Sequence, residues 1–343
     1  MAQTPRISVG FVEGLIWDSG RTNWDGDGPR PIRWSAWYPA DAAAIESVVA
    51  LPPDERLFVM GRVARDAALS FEPRTFPVVL LSHGTGGTAA SLGWLAEKLA
   101  AHGFIVIAAD HHGNTASELY RPEGFLCWWE RPRDLTVLLD ALHTQGMFAG
   151  RLDVDRVSAA GFSLGGHTVL SLAGAITDMT LFQAWAEGQP GGRGPREFPD
   201  LADHIAPLLE RSAVFRSSWE RQSLSYVDRR VKAVLACAPA PPVRGFTPQS
   251  LAAIRVLVTM AVGGADVEAP AEAGAMWLDD HLADSMLHLL GPDIGHYVFL
   301  CEGTPKGCAA EPAIWSDPPD VPRRVVHERV ADIALRAFSR PPN

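Results

Sequence analysis

The sequence predicts an α/β protein with a mostly parallel central sheet, helices on both faces and one helical insertion. Its short apolar runs are continuous rather than alternating, which is typical of strands that helices cover on both sides. Helical segments lie between these runs, and such alternation indicates a parallel sheet. One long stretch then breaks the rhythm of strand and helix. The runs that we interpret as strands are 76–84, 103–113, 156–163, 231–239, 254–264 and 285–291.

Three segments have the apolar spacing of amphipathic helices, at 91–103, 131–146 and 322–338. The N-terminal part differs, since "ISVGFVEGLIWD" and "PIRWSAWYPA" alternate and are separated by a turn-rich segment. We interpret these two stretches as an antiparallel pair or edge hairpin that extends the sheet.

The chain is expected to form a single domain over residues 1–343, with the insertion at 174–230. The insertion is too long for a simple connection. It contains helical pieces and the glycine-rich "GQPGGRGP" at 188–195. We expect it to form a helical lid over the carboxyl-terminal edge of the sheet.

Composition and charge exclude several classes of protein. Apolar residues make up 47% and charged residues 20%, which is typical of a globular chain. A net charge of −10 argues against a nucleic-acid partner. No apolar run is long enough to span a membrane. No signal peptide is visible, so we expect a cytoplasmic protein, or a secreted one if an export signal has been removed.

Four cysteines without metal-site spacing are expected to be free thiols, although Cys301 and Cys308 are close enough to bridge a loop. The oligomeric state is left open.

The segment "SAAGFSLGGHTVL" runs from an apolar strand through Ser163 into a helix. Gly161 and Gly165 flank this serine in the pattern G-x-S-x-G, which is typical of a nucleophile on a sharp strand-to-helix turn. A serine hydroxyl needs a base within hydrogen-bond reach. The five-residue pattern alone is also compatible with an ordinary glycine-rich turn.

His296 is the candidate base. Where a strand-to-helix turn carries the nucleophile, the acid and then the histidine follow in the chain. His296 lies in the glycine-rich loop "GPDIGHYVF" after the last predicted strand. The other downstream histidines lie in predicted helices, in a strand or in the insertion, and they are His167, His204, His281, His288 and His327.

Asp266 is the candidate acid that would orient the histidine. It is the first acid after the predicted strand at 254–264, and Glu268, two residues later, is its rival. The backbone N–H of Leu164 and that of Thr85, in the turn "SHGTGG", are the expected oxyanion donors. His83 in the same turn is interpreted as structural.

Several aromatic residues could line an apolar substrate pocket, or could equally pack the insertion onto the body. We place Trp128 and Trp129 in a loop near the catalytic edge. The insertion contributes Phe182, Trp185 and Trp219. The adjacent histidines in "DHHGN" point apart in an extended segment, so no metal site is expected there.

Together these motifs resemble the α/β-hydrolase superfamily, and within it the dienelactone-hydrolase-like and platelet-activating-factor-acetylhydrolase-like serine esterases. The residues that carry the resemblance are "WSAWYPA", "LLSHGTGG", "GFIVIAADHHGN", "RPRD", "GFSLGG", "GGADVEAP" and "GHYVFL". It implies a Ser-Asp-His hydrolase that needs no cofactor, whereas the substrates of the two named families do not carry over. Dienelactone hydrolases use a cysteine where this chain has Ser163, and the acetylhydrolases place the acid where this chain has "CAPAPP".

The leading hypothesis is therefore a carboxylic-ester hydrolase that works through an acyl-enzyme. Amide, lactone or polyester hydrolysis on the same residues is the nearest alternative. An acyltransferase, or a non-hydrolytic protein of this fold, is a further one.

Overall fold

The computed structural model describes residues 7–189 and 194–340. Its strands are β1 (Val9–Thr22), β2 (Pro29–Pro39), β3 (Ser47–Leu51), β4 (Phe58–Arg65), β5 (Phe76–Ser82), β6 (Ile105–Asp110), β7 (Leu152–Phe162), β8 (Val231–Cys237), β9 (Leu257–Val262), β10 (Ser285–Leu289) and β11 (Glu302–Gly303). Its helices are α1 (Gly93–Ala100), α2 (Pro122–Leu126), α3 (Glu130–Thr144), α4 (Leu164–Ala173), α5 (Met179–Glu187), α6 (Ile205–Arg211), α7 (Ala213–Trp219), α8 (Pro248–Ala253), α9 (Ala275–Asp279), α10 (Pro305–Ala310), α11 (Pro312–Trp315) and α12 (Arg323–Phe338).

One mixed sheet forms the centre of the molecule, in the order β10-β9-β8-β7-β5-β6-β2-β1-β4-β11, with β3 paired to β4. The six strands from β10 to β6 in this order are the six predicted apolar runs, and they are parallel. β1 and β2 form an antiparallel hairpin. β2 also pairs with β6 in the antiparallel sense and so joins the hairpin to the parallel strands. The hairpin is not at the edge of the sheet, however, because β4 pairs beyond β1.

Helices cover both faces of the sheet because neighbouring strand residues point to opposite sides. In β5, Val79 and Leu81 belong to one core cluster, together with residues of α1 and α12. Val78 and Leu80 belong to the other, together with residues of α3 and α4. The apolar continuity of the strand sequence therefore reflects two cores of helix on sheet.

The insertion contains three helices, α5, α6 and α7, and residues 190–193 of its predicted glycine-rich stretch lie outside the described residues. It shares a third apolar cluster with residues 125–129 and with Leu164. Phe215 of α7 is fully buried in that cluster. The insertion is thus packed onto the body beside the turn that carries Ser163.

Two further expectations concern membrane-spanning helices and the state of the cysteines. Within the described ranges, no helix combines the length and apolar character needed to cross a membrane. All four cysteines are free, including Cys301 and Cys308. Burial raises the pKa of the Cys237 and Cys301 thiols to about 12, so both are protonated at neutral pH.

Candidate active site

Ser163 lies on a strained turn between β7 and α4. Its backbone has φ 55° and ψ −117°, a left-handed φ that a residue with a side chain rarely adopts. A Cβ on Gly161 would lie 2.1 Å from the carbonyl oxygen of Gly165, and one on Gly165 would lie 2.0 Å from that of Ser82. Glycine is required at both positions because the strand and helix approach too closely for a side chain.

His296 contacts Ser163 directly. Its Nε2 lies 3.1 Å from Ser163 Oγ, and its Nδ1 lies 2.8 Å from Asp266 Oδ2. A carboxylate can only accept, so Nδ1 carries the proton and Nε2 of the neutral ring is free to accept the serine proton. Three residues spread over 133 positions of the sequence thus form one hydrogen-bonded chain.

Asp266 is held in place from the other side. Its Oδ1 accepts the backbone N–H of Glu268 at 3.0 Å and that of Ala269 at 2.7 Å. The Asp266 side chain is fully buried, whereas Glu268 is exposed. Of the two acids that the sequence left as candidates, the structure brings Asp266 to the histidine, and Glu268 contributes its main chain.

The turn after β5 lies beside Ser163. A Cβ on Gly84 would lie 3.2 Å from Ser163 Cβ. Two hydrogen bonds fix the turn, since the Gly86 N–H donates to Asn114 Oδ1 and the Tyr120 hydroxyl donates to Gly86 O, each at 2.7 Å.

The N–H groups of Thr85 and Leu164 meet no protein acceptor within the part of the chain that the structure describes. Leu164 also begins α4, where the helix dipole favours negative charge. Both N–H groups therefore remain free to donate to a ligand.

The five aromatic residues proposed for a pocket form a packed layer. Trp128 contacts Phe182 edge to face at 4.8 Å between ring centroids, and Trp129 contacts Trp219 in the same way at 5.5 Å. Trp185 lies next to Phe182, with the ring centroids 5.9 Å apart and the rings tilted by 36°.

Trp128 and Trp129 were expected in a loop that follows a strand. They lie instead in the short turn between α2 and α3. Trp129 is fully buried, and its Nε1 donates to Ser218. These contacts bind the insertion to the body. Phe182 stays half-buried at the surface of the insertion.

Comparison with known proteins agrees with this architecture. A ferulic acid esterase from Streptomyces cinnamoneus has a similar structure, with a TM-score of 0.63 and 19% identity over 99% of this chain and 95% of that one. The chain therefore has the α/β-hydrolase fold.

Sequence relatives match the central part of the chain. The family model described as PETase, PET hydrolase-like, matches residues 70–238, a little under half of the chain. Cutinase est2 of Thermobifida alba is 36% identical over 110 residues, 32% of this chain and 33% of that protein. The bis(hydroxyethyl) terephthalate hydrolase of Streptomyces coelicolor is 32% identical over 122 residues, 33% of this chain and 36% of the relative. The chain thus spans about a third of the length of these curated relatives.

Sequence reasoning missed a buried polar network behind the turn that follows β5. Asp134 of α3 accepts from Arg30 at 2.8 Å and from His111 Nδ1 at 3.0 Å, and His111 Nε2 contacts Ser82 Oγ. Burial would raise the pKa of Asp134, but Arg30 and Arg21 hold it well below its usual range. Burial lowers the pKa of His111 to about 3.

His83 has the structural role expected of it. The backbone N–H of His111 donates to His83 Nε2, and Arg131 donates to the His83 carbonyl. The second histidine of "DHHGN", His112, is bonded to Glu118. The runs "RPRD" and "DHHGN" were part of the family resemblance, but the sequence did not predict their pairing across the fold.

Proposed function

We propose that this chain is a serine hydrolase that cleaves a carboxylic ester through an acyl-enzyme. The observation that carries the proposal is the hydrogen-bonded chain from Asp266 through His296 to Ser163, at a strained strand-to-helix turn. Such a chain supplies a nucleophile, its base and the group that orients the base. The cutinase, terephthalate-ester hydrolase and ferulic acid esterase relatives support the same class of reaction.

In the proposed reaction, Ser163 Oγ attacks the ester carbonyl while His296 Nε2 takes its proton. The oxyanion that forms accepts hydrogen bonds from the backbone N–H groups of Thr85 and Leu164. His296 then gives its proton to the departing alcohol as the C–O bond breaks, which leaves the acyl group on Ser163. Water attacks this acyl-enzyme with His296 again as base, and the acid departs as Ser163 regains its proton. Ser163 supplies the proton that leaves with the alcohol, and the attacking water supplies the proton that returns to Ser163, so the proposed reaction requires no cofactor.

The proposed substrate is a small or medium ester with an apolar part. Phe182 and the layer beneath it offer apolar surface from the insertion, which we propose acts as a lid. A polyester is a second candidate. The PET hydrolase-like family match favours it, as does the strong exposure of Leu119, beside Tyr120, and of Val267, beside Asp266.

The proposal is tested with p-nitrophenyl esters of increasing acyl length and the variant Ser163→Ala. Loss of the nucleophile should reduce kcat/KM by about 10³-fold or more, because only oxyanion and binding effects would be left. Circular dichroism should show a folded protein. Near-normal turnover by a clean Ser163→Ala preparation would contradict the mechanism.

A further inference from the structure

The carboxylate of Glu197 lies against the turn that follows β5. A Cβ placed on Gly86 would be 3.1 Å from both Cδ and Oε1 of Glu197. Gly86 is two residues after Gly84, and a Cβ placed on Gly84 would lie 3.2 Å from Ser163 Cβ. The side chain of Glu197 is 17% exposed. A carboxylate from the insertion therefore lies at the mouth of the candidate active site, beside the proposed oxyanion donors.

The neighbours of Glu197 hold this segment in place. Arg196 Nη1 pairs with Glu311 Oε2 at 3.1 Å, which joins the segment to the end of α10. Phe198 packs edge to face on Phe125, with 4.8 Å between ring centroids. With anchors on both sides, the position of the Glu197 carboxylate is set by the fold rather than by the rotamers of a free side chain.

The negative charge of Glu197 is only weakly compensated. Within the described part of the chain, the ion-pair partner recorded for it is Arg196, whose Nε lies 4.0 Å from Oε1 at the limit of such contacts. Arg196 is itself shared with Glu311. Burial raises the pKa of Glu197. A hydrogen bond from its own backbone N–H and the charge of Arg196 oppose this, whereas the charges of Glu268 and Glu311 raise the pKa further. A partly desolvated charge of this kind acts on a ligand more strongly than one in bulk water.

We propose that Glu197 is a specificity-determining residue through which the enzyme selects neutral and cationic esters over esters that carry a carboxylate near the scissile bond. The inference rests on the proposed function. An anionic ester would bring a second negative charge close to Glu197 as its carbonyl enters the oxyanion site. A cationic ester would be favoured by the same geometry.

The experiment uses three acetate esters of similar size: neutral 3,3-dimethylbutyl acetate, cationic acetylcholine and anionic 3-acetoxypropanoate. Hydrolysis by the full chain is followed by pH-stat at neutral pH and low salt. The variant is Glu197→Gln. The matched control is Glu210→Gln, which removes one negative charge from an exposed position of the same insertion.

Glu197→Gln should raise the ratio of anionic to neutral kcat/KM by about five- to tenfold and lower the ratio of cationic to neutral by a similar factor, the effect of one unit charge several ångströms away in a partly solvated site. Glu210→Gln should leave both ratios unchanged. Unchanged ratios in Glu197→Gln, or equal shifts in both variants, would overturn the proposal. Failure of the wild-type chain to cleave the neutral ester would instead overturn the proposed function, and this inference with it.

Discussion

Asp266 has both carboxylate oxygens committed, one to His296 and one to two backbone N–H groups. This arrangement fixes the direction of the carboxylate before any substrate binds. It also fixes the tautomer of His296, since only a ring with its proton on Nδ1 can donate to Asp266. The charge that develops on the ring as it takes a proton would then face a buried carboxylate.

Replacing Asp266 tests this role at the scale of a single atom. Asp266→Asn presents a donor where His296 needs an acceptor, so kcat should fall by about 10³- to 10⁴-fold with little change in overall structure. Glu268→Gln is the matched control and should lose little activity, because its side chain is exposed and only its N–H contacts Asp266. Steady-state kinetics with a p-nitrophenyl ester measure both, and the reverse ranking would contradict the assignment.

Asp134 is a second buried carboxylate whose partners matter for stability. Its side chain is 1% exposed, forms ion pairs with Arg30 and Arg21, and accepts a hydrogen bond from the neutral ring of His111. Asp134→Ala should lower the free energy of unfolding by about 3–5 kcal/mol, because it leaves buried cations without their partner. Asp140→Ala on the same helix removes an exposed ion pair with Arg230 and should cost less than about 1 kcal/mol. Urea unfolding measures both values, and equal costs would contradict the role given to the network.

At the scale of elements, the insertion packs onto the body through aromatic side chains that differ in how far they are buried. Trp129 is fully buried against Ser218 and Trp219, so it holds the insertion to the body. Phe182 of α5 is half-buried on Trp128, at the surface of the same layer. A substrate would therefore meet Phe182 before it met Trp129.

Phe182→Ala should change the ratio of kcat/KM between long and short acyl esters. Each methylene that loses apolar contact would forfeit about 0.8 kcal/mol of binding. Leu181→Ala on the same helix is the control, because Leu181 is exposed and lies outside this apolar cluster. The measurement is a series of p-nitrophenyl esters from acetate to octanoate. If the chain-length profile of Phe182→Ala equals that of the parent, the insertion does not select the acyl chain.

The six parallel strands could be predicted from sequence because each is a short, continuous apolar run that two layers of helices bury. Strands β3, β4 and β11 could not. β11 has two residues, and β3 is not fully buried at any position, so neither produces a clear apolar signal. β4 has a mixed pattern and pairs in parallel with β1 at only two residues, a contact that depends on the whole N-terminal region.

The positions of Ser163, Asp266 and His296 could be predicted because each follows a strand, and parallel strands deliver their carboxyl ends to one edge of the sheet. The local glycines of the turn around Ser163 added an independent signal. The contact of Glu197 with Gly86 could not be predicted, because it depends on how residues 194–201 fold back over the body. The same holds for Asp134, whose partners come from β2 and from the segment after β6.

At the scale of the whole molecule, buried histidines link stability to pH. Burial lowers the pKa of His111, His167 and His327 to about 3, and that of His83 well below its usual range. The folded state keeps these rings neutral, whereas the unfolded chain binds protons as the pH falls below about 6.5. Their contribution to stability is therefore complete above that pH and is lost as the pH falls from about 6.5 towards 3.

His167→Phe should weaken this dependence. The slope of unfolding free energy against pH, measured by urea unfolding between pH 6 and 4, should decrease by about 1.4 kcal/mol per pH unit. An unchanged slope in His167→Phe would show that this ring does not stay neutral in the folded protein.

The central claim, that Ser163 is an activated nucleophile, is tested most directly by covalent labelling with a fluorophosphonate. Intact-mass and peptide-mass spectrometry of the wild-type chain should show one adduct, on the peptide that contains Ser163, and its formation should match the loss of ester hydrolysis. Ser163→Ala should take up no label, and Asp266→Asn should react far more slowly. Ester hydrolysis that survives while Ser163 is fully labelled, or an adduct on another residue that accounts for the lost activity, would contradict the account.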